Sequence, residues 1–241
     1  ITRNNTARKQ TEEAIRRTEK LSVIGQLAAG VAHEIRNPLT TLRGFVQLGQ
    51  KNGTLAPAYL DVMLSELDRI NLIVSEFLVL AKPQAARCEA ADMAALMNDI
   101  LSLLESQAGL LNVEIDRNYE PGVPPVECDA NQLKQVMINV IKNSLEAMEE
   151  DGGTLEVGLA YDAERSTAVI RIADQGKGIA EEDLGRLGEP FFTRKPSGNG
   201  LGLMVSQRII ANHKGTIEIS SRLGEGTVAE IRLPVTGASA G

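Results

Sequence analysis

Two heptad seams in the first third of the chain constrain it more than any other feature. Positions 21, 24, 28, 31, 35, 38, 42, 45 and 49 step by three and four, and carry Leu, Ile, Ala, Val, Ile, Pro, Leu, Phe and Gly. That spacing lines one side of a helix and predicts a single long helix over 3–50, with Pro38 and Gly49 as imperfect seam positions. Lys51-Asn52-Gly53-Thr54 forms a turn, and Pro57 suits the first turn of a second helix. The second seam, at 60, 63, 67, 70, 74, 77 and 81, reads Leu, Met, Leu, Ile, Val, Phe, Ala, and Pro83 stops it. Two amphipathic helices joined by a short turn make an antiparallel hairpin, which cannot cover its own stripe. Pairing with a second copy as a four-helix bundle covers it, so a homodimer is expected.

Beyond Lys82-Pro83-Gln84-Ala85 the heptads stop and mixed elements begin. The pattern predicts helices near 92–108, 130–149 and 201–212, and strands near 112–118, 154–161, 167–173, 216–221 and 227–233. The fold class is α+β: residues 1–83 form a hairpin domain, 84–90 a linker and 91–241 an α/β domain. With 43% hydrophobic and 24% charged residues and no long apolar run, the 241-residue chain is neither a disordered tail nor a membrane-spanning protein. No membrane contact by this stretch is expected. A net charge of −7, with four Phe, three Tyr and no Trp, argues against nucleic acid as a partner. Cys88 and Cys128 are too few for a disulfide scaffold and lack metal-pair spacing, which fits a reducing cytoplasm. The chain opens on Ile1 without a signal-like segment and reads as a piece of something longer.

The chemistry-bearing residues fall in separate places. His33, in His33-Glu34-Ile35-Arg36-Asn37-Pro38-Leu39, lies opposite the seam and should face solvent. A neutral imidazole is a nucleophile near neutral pH, and Glu34 beside it can take a proton or stabilise developing positive charge. Asn37, one turn on, can position a water or a phosphoryl oxygen, and Pro38 permits bending. Taken alone, a His–Glu pair is weak evidence and is better explained as part of a solvated polar face. Asn139, Asn143 and Glu146 make a polar stripe on the 130–149 helix, where Asn143 or Asn139 offers an oxygen to Mg²⁺, although a solvated face is again the plain alternative.

Asp174-Gln175-Gly176-Lys177-Gly178-Ile179 follows a strand, and Gly198-Asn199-Gly200-Leu201-Gly202-Leu203 precedes a helix. Such glycines admit phosphate oxygens to backbone N–H groups at a helix start, and Asp174 can accept from an exocyclic amine. Their spacing fits neither the Walker nor the dinucleotide fingerprint, and each run alone can be an ordinary turn. Between them, Glu189-Pro190-Phe191-Phe192-Thr193-Arg194-Lys195 puts two aromatics beside two cations in a loop over 181–200 long enough to be a lid. His213, near a helix end, reads as a structural cation at the helix C-terminus.

Taken in order, these segments resemble the transmitter region of sensor histidine kinases: His33 to Leu39 the H box, Asn139 to Ala147 the N box, Asp174 to Gly178 the G1 box, Glu189 to Thr193 the F box, Gly198 to Gly202 the G2 box. Gly224-Glu225-Gly226-Thr227 resembles a further glycine motif. Within the family, Lys142 to Met148 and Glu189 to Thr193 look most like the sporulation kinases of spore-forming bacilli. The resemblance implies a dimeric four-helix bundle joined to an ATP-binding α/β sandwich of the gyrase type. It makes His33 the phosphoacceptor, Glu34 its general base and Asn37 a positioner of water in dephosphorylation of the partner. Asn143, with Asn139 nearby, would hold Mg²⁺; Asp174 would bind the adenine amine, with Thr227 supporting it through water. Gly176 and Gly178 would shape the adenine pocket, and Gly198, Gly200, Leu201 and Gly202 would close over the phosphates of ATP. Many relatives carry Lys or Arg where Glu146 stands, so Arg194, Lys195 or Lys142 would supply that phosphate contact. The implied partners are a response-regulator receiver domain and small protein regulators of the kinase, in a phosphorelay controlling sporulation. The implied location is cytoplasmic, including the cytoplasmic portion of a membrane-bound kinase. Two rivals share these residues: a clamp-driving ATPase of the same sandwich class, and a dimerisation scaffold that binds nucleotide without transferring phosphate.

Overall fold

In the computed structural model the described residues are 28, 30–81, 87–195, 198 and 200–235. The predicted helix before residue 28, with seam positions 21 and 24, lies outside them, as do linker residues 82–86 and positions 196, 197 and 199 of the second glycine run. The described residues fall into two compact units, one from 1–83 with 195–199 and the other from 84–194 and 200–241.

In the first unit, α1 (residues 30–52) and α2 (Pro57–Ala81) are joined by a short turn. The inward side of α1 follows its seam, with Val31 and Pro38 buried and Ile35, Leu42, Phe45 and Gly49 half-buried. Phe45 meets Tyr59 at the turn end, with ring centroids 5.1 Å apart. The inward line of α2 is rotated from the expected one. Leu60, Leu67 and Val74 are exposed, while Ile73 and Glu76 are buried and Met63, Glu66, Arg69, Ile70 and Leu80 are half-buried. A seam chosen by apolarity passed over Glu66, Arg69 and Glu76, which the hairpin turns inward. Of the line that the sequence marks, Met63, Ile70 and Phe77 are therefore half-buried, while Leu60, Leu67 and Val74 remain on the surface of the single chain.

The second unit is a two-layer sandwich. Its order is β1 (Glu89–Ala91), α3 (Met93–Leu110), β2 (Val113–Tyr119), β3 (Val126–Cys128), α4 (Ala130–Ala147), β4 (Gly153–Asp162), β5 (Thr167–Asp174), α5 (Glu181–Leu184), α6 (Gly202–Asn212), β6 (Thr216–Arg222) and β7 (Gly226–Pro234). The main sheet runs β2-β4-β5-β7-β6, with β2 parallel to β4 and the other pairs antiparallel. Alternation puts Leu155, Val157 and Leu159, then Ile170 and Ile172, then Ile231 and Leu233 on one face, all buried. Met97, Ile100 and Leu101 of α3, Met137, Ile141 and Leu145 of α4, and Val205 and Ile209 of α6 are buried with them. Each such side chain contributes about 1.5–3 kcal/mol by leaving water. On the polar side Arg171 meets Glu156 at 3.1 Å.

Asp92 and Asp129 cap α3 and α4 by accepting from Ala94 and Ala95 and from Asn131 and Gln132. β1 and β3 form a separate two-stranded sheet that sequence reading missed, because three residues give no readable alternation. α5, of four residues, was missed for the same reason. His213 is structural, as expected, but not as a helix-end cation. It is buried, its Nδ1 lies 2.8 Å from the Ile209 carbonyl, and its Nε2 accepts from the Asp129 backbone N–H at 3.0 Å. An imidazole that accepts at Nε2 and donates from Nδ1 pins the end of α6 to the start of α4, a use different from the expected helix-end cation.

Candidate functional site

In the hairpin unit α1 carries His33 and Asn37 exposed and Glu34 half-buried. Pro38 brings no N–H, so the Glu34 carbonyl loses its usual helical donor. Arg69 of α2 lies 3.5 Å from a Glu34 carboxylate oxygen, which ties the residue beside the histidine to the second helix. Sequence reading missed Arg69, since one arginine within a charged helix carries no spacing signal.

In the sandwich unit, the centre of the site is Asp174, the last residue of β5, buried to 7% exposure. Its Oδ1 accepts from the backbone N–H of Gly176 and of Thr227, each at 3.0 Å. The link from Thr227 to Asp174 is thus a direct backbone bond. Gly176 packs against the end of α4 so closely that a Cβ there would lie 2.6 Å from the Ala147 carbonyl oxygen, which also accepts from Lys177 N–H at 3.1 Å. No larger residue fits without moving α4. Gly178 lies against the Arg222 backbone, and Lys177 O accepts from Gly224 N–H at 2.8 Å.

Ser221, which sequence reading also missed, joins these turns. Its hydroxyl accepts from Ile179 N–H at 2.9 Å, donates to the Gly226 carbonyl at 2.7 Å, and is 3.0 Å from Thr227 Oγ1. In an alternating edge strand nothing in the sequence separates Ser221 from Ser220.

Asn143 is exposed on α4 and presents a hard oxygen donor of the kind Mg²⁺ takes, which fits that ion; Glu146 is exposed one turn further on. Asn139 stands differently. Its Nδ2 donates to Ser206 Oγ at 3.0 Å, and a Cβ at Gly202 would come 2.6 Å from its Oδ1. Its amide therefore joins α4 to the first turn of α6. Among the described residues no cluster of three or more His, Cys, Asp or Glu side chains could hold a metal. At the start of α6 the N-cap position is held by Leu201, whose side chain makes no capping bond and is fully buried. Its first N–H groups are the kind of donors that take an anion.

Gly200 adopts φ +66° and packs on the backbone of Phe191 and Phe192, where any Cβ would collide; Phe191 itself has φ +62°. Arg186 stacks over Phe192 at 4.1 Å and donates to Glu189 at 3.1 Å. The structure places the Arg194 guanidinium on Asp183 of α5, in a hydrogen bond and charge pair that raise its pKa further above the ordinary arginine value. Lys195 follows it, half-buried, and Gly198 N–H donates to the Lys195 carbonyl at 3.2 Å.

Comparison with known proteins gives two family models: "His Kinase A (phospho-acceptor) domain" over residues 23–86 and "Histidine kinase-, DNA gyrase B-, and HSP90-like ATPase" over 128–237. Sporulation kinase E of Bacillus subtilis is 47% identical over 98% of this chain and 32% of its own length; sporulation kinase A of that organism is 48% identical over 97% and 38%. The chain thus spans about a third of the length of these curated relatives. Among solved structures, Acinetobacter baumannii histidine kinase AdeS is similar with TM-score 0.70 at 26% identity, covering 85% of this chain and 98% of that one. Histidine kinase ThkA, solved in complex with the response regulator protein TrrA, gives TM-score 0.77 at 29% identity, covering 94% of this chain and 66% of that one. Among the described residues no helix is long and apolar enough to cross a membrane.

Proposed function

This chain belongs to the histidine kinase family, and on that premise we propose that it is the core of a sensor kinase that phosphorylates its own His33 from ATP and passes the phosphoryl group to an aspartate of a response-regulator receiver domain. The observation that carries the reading is Asp174, whose buried carboxylate gathers two backbone N–H groups beside a glycine that admits no side chain. With Oδ1 so engaged, Asp174 is held in a fixed orientation in which Oδ2 can accept from the adenine amine. Ser221 and Thr227 hold the facing turn, Asn143 provides an oxygen for Mg²⁺, and backbone N–H groups at the start of α6 receive phosphate. Asn139 supports that start from α4 through Ser206. Mg²⁺, when bound, neutralises phosphate charge.

On His33 the lone pair of one ring nitrogen forms the bond to the γ-phosphorus as the bond to the β-phosphate oxygen breaks and ADP leaves with that electron pair. The proton on the other ring nitrogen passes to Glu34. Arg69 orients Glu34. Asn37, exposed on the helix that carries His33, is placed to orient water when the partner is dephosphorylated. Residues 1–83 then serve dimerisation and phosphotransfer, 84–90 link, with Glu89 and Ala90 already in β1, and 91–241 bind ATP. The exposed Leu60, Leu67 and Val74 on α2 support a homodimer, since a second hairpin covers such a line. The sporulation kinases among the relatives, and the solved kinase paired with a response regulator, support a phosphorelay that controls sporulation. Small protein regulators acting on the kinase belong to the same proposal. Two free cysteines fit a cytoplasmic place for this region.

Incubation with γ-labelled ATP and Mg²⁺ should give an acid-labile label that His33→Ala abolishes while nucleotide affinity stays within about twofold, a shift well below one 1.4 kcal/mol decade. Undiminished acid-labile labelling of His33→Ala would sink the assignment.

A further inference from the structure

We propose that Ser221 is a positioning residue that sets which class of purine the site takes. It turns the Thr227 hydroxyl into a hydrogen-bond acceptor, so that, with Asp174, the edge of the base meets acceptors only and a 6-amino purine is chosen over a 6-oxo purine. The proposal rests on the ATP-binding reading above and deepens it.

The register places three side chains in one row. Asp174 of β5 stands opposite Thr227 of β7, and Thr227 stands opposite Ser221 of β6. Directly opposed residues of antiparallel strands share a face of the sheet.

The count of protons then decides the roles. A serine hydroxyl has one proton and two lone pairs. The Gly226 carbonyl oxygen, 2.7 Å from Ser221 Oγ, has no proton to give, so the serine proton goes to it. One lone pair of Ser221 accepts from Ile179 N–H at 2.9 Å. The other is left for Thr227 Oγ1 at 3.0 Å, and that bond must be made with the threonine proton. The opposite wiring, with the serine proton on Thr227, sets two oxygens 2.7 Å apart with no proton between them. Thr227 therefore spends its only proton inside the protein and keeps lone pairs for a ligand.

Asp174 is limited in the same way. A carboxylate only accepts, and its Oδ1 is already taken by the N–H groups of Gly176 and Thr227. A base beside these oxygens must bring donors. The 6-amino group of adenine brings two, whereas the 6-oxo group of hypoxanthine or guanine brings lone pairs, which leaves polar groups unpaired on both sides and costs more than one missing bond. Where a water stands between, Thr227 takes one of its protons and the other is left for adenine N1, which a 6-oxo purine carries protonated. The preference keeps its sign by either route, and Ser221 exerts it without touching the nucleotide.

The test uses ADP and inosine diphosphate, which differ only at the C6–N1 edge. Their affinities are measured with Mg²⁺ on the whole chain for wild type, Ser221→Ala, Ser221→Thr, Thr227→Val, the double variant S221A/T227V and Ser220→Ala. The expected result is a wild-type preference for ADP that Ser221→Ala lowers by about fivefold, the size of one neutral hydrogen bond. Ser221→Thr, which keeps the hydroxyl, retains the preference. Thr227→Val lowers it by a similar factor, and the double variant lowers it no further. Ser220→Ala, an exposed neighbour on the other face of β6, leaves it unchanged. Equal weakening of both nucleotides in Ser221→Ala makes the serine a fold element only and overturns the proposal, as does a further drop of preference in the double variant. If Ser221→Ala does not fold, Ser221→Cys, similar in shape and a weaker acceptor, takes its place with the same expectations, and a preference untouched by Thr227→Val overturns the proposal in either case. A wild type that binds neither nucleotide overturns the ATP-binding reading and this proposal with it. A wild type that shows the expected ratios but never labels His33 from ATP overturns the kinase reading and leaves the role of Ser221 standing.

Discussion

His33 and Asp174 are built in opposite ways. His33 stands exposed on a helix whose inward line continues without it, whereas Asp174 is buried and its side chain holds the turn after β5 and the start of β7 by accepting from two backbone N–H groups. The roles proposed for them account for the difference: a nucleophile must reach a partner and needs little from its own fold, whereas a carboxylate that reads a base must be held still. On that proposal His33 should be removable without structural cost, and Asp174 should not.

Asp174→Ala gives the largest expected effect, because it leaves the Gly176 and Thr227 N–H groups without an acceptor in a buried place. The variant should lose about 2–4 kcal/mol in urea unfolding of the chain, while His33→Ala stays within about 0.5 kcal/mol. Equal destabilisation by the two substitutions would break the comparison. His213→Ala sharpens it within the sandwich unit, since this buried histidine is expected to matter more for stability than the exposed His33. Losing the bridge from Ile209 O to Asp129 N should cost about 1–3 kcal/mol and leave acid-labile labelling intact at low temperature. A His213 variant as stable as wild type would remove that pin.

The smallest effect concerns Cys128, opposite Glu89 where β1 meets β3. Burial, with lesser contributions from Cys88 and Asp129, pushes its thiol up to about 11. A group whose folded pKa is raised stabilises the fold fully below its unfolded value, about 8.5, and loses that contribution as the pH rises through the folded value. Unfolding measured between pH 8 and 11 should thus show a decline that Cys128→Ala reduces. Alkylation at neutral pH should modify the exposed Cys88 and spare Cys128. An unchanged decline in Cys128→Ala would assign the pH dependence to other groups.

Much of this was legible before any coordinates. The α1 seam, the apolar alternation of β4, β5 and β7, and the glycine runs after β5 and before α6 each depend on neighbours a few residues apart, and such order is written in spacing. The inward line of α2 is legible only in part: Met63, Ile70 and Phe77 lie inward on the expected seam, whereas Glu66, Arg69 and Glu76, which a seam chosen by apolarity passes over, are turned in by the hairpin. Contacts between distant positions left no local trace either. Ser221 meets Ile179 across 42 residues, Asn139 meets Ser206 across 67, and His213 meets Asp129 across 84.

The sequence by itself determined which residues can do chemistry, because nucleophilicity, oxygen donors and glycine's missing Cβ are properties of single residues. It also determined that a helical hairpin precedes a sandwich, because hydrophobic period is a property of neighbours. Tertiary structure alone decided what each polar group spends its hydrogen bonds on. Asn139 and Arg194 carry the side chains of ligands, yet folding gives one to Ser206 and the other to Asp183. A buried polar group must find a partner, and which partner lies within reach is fixed only when the elements have packed.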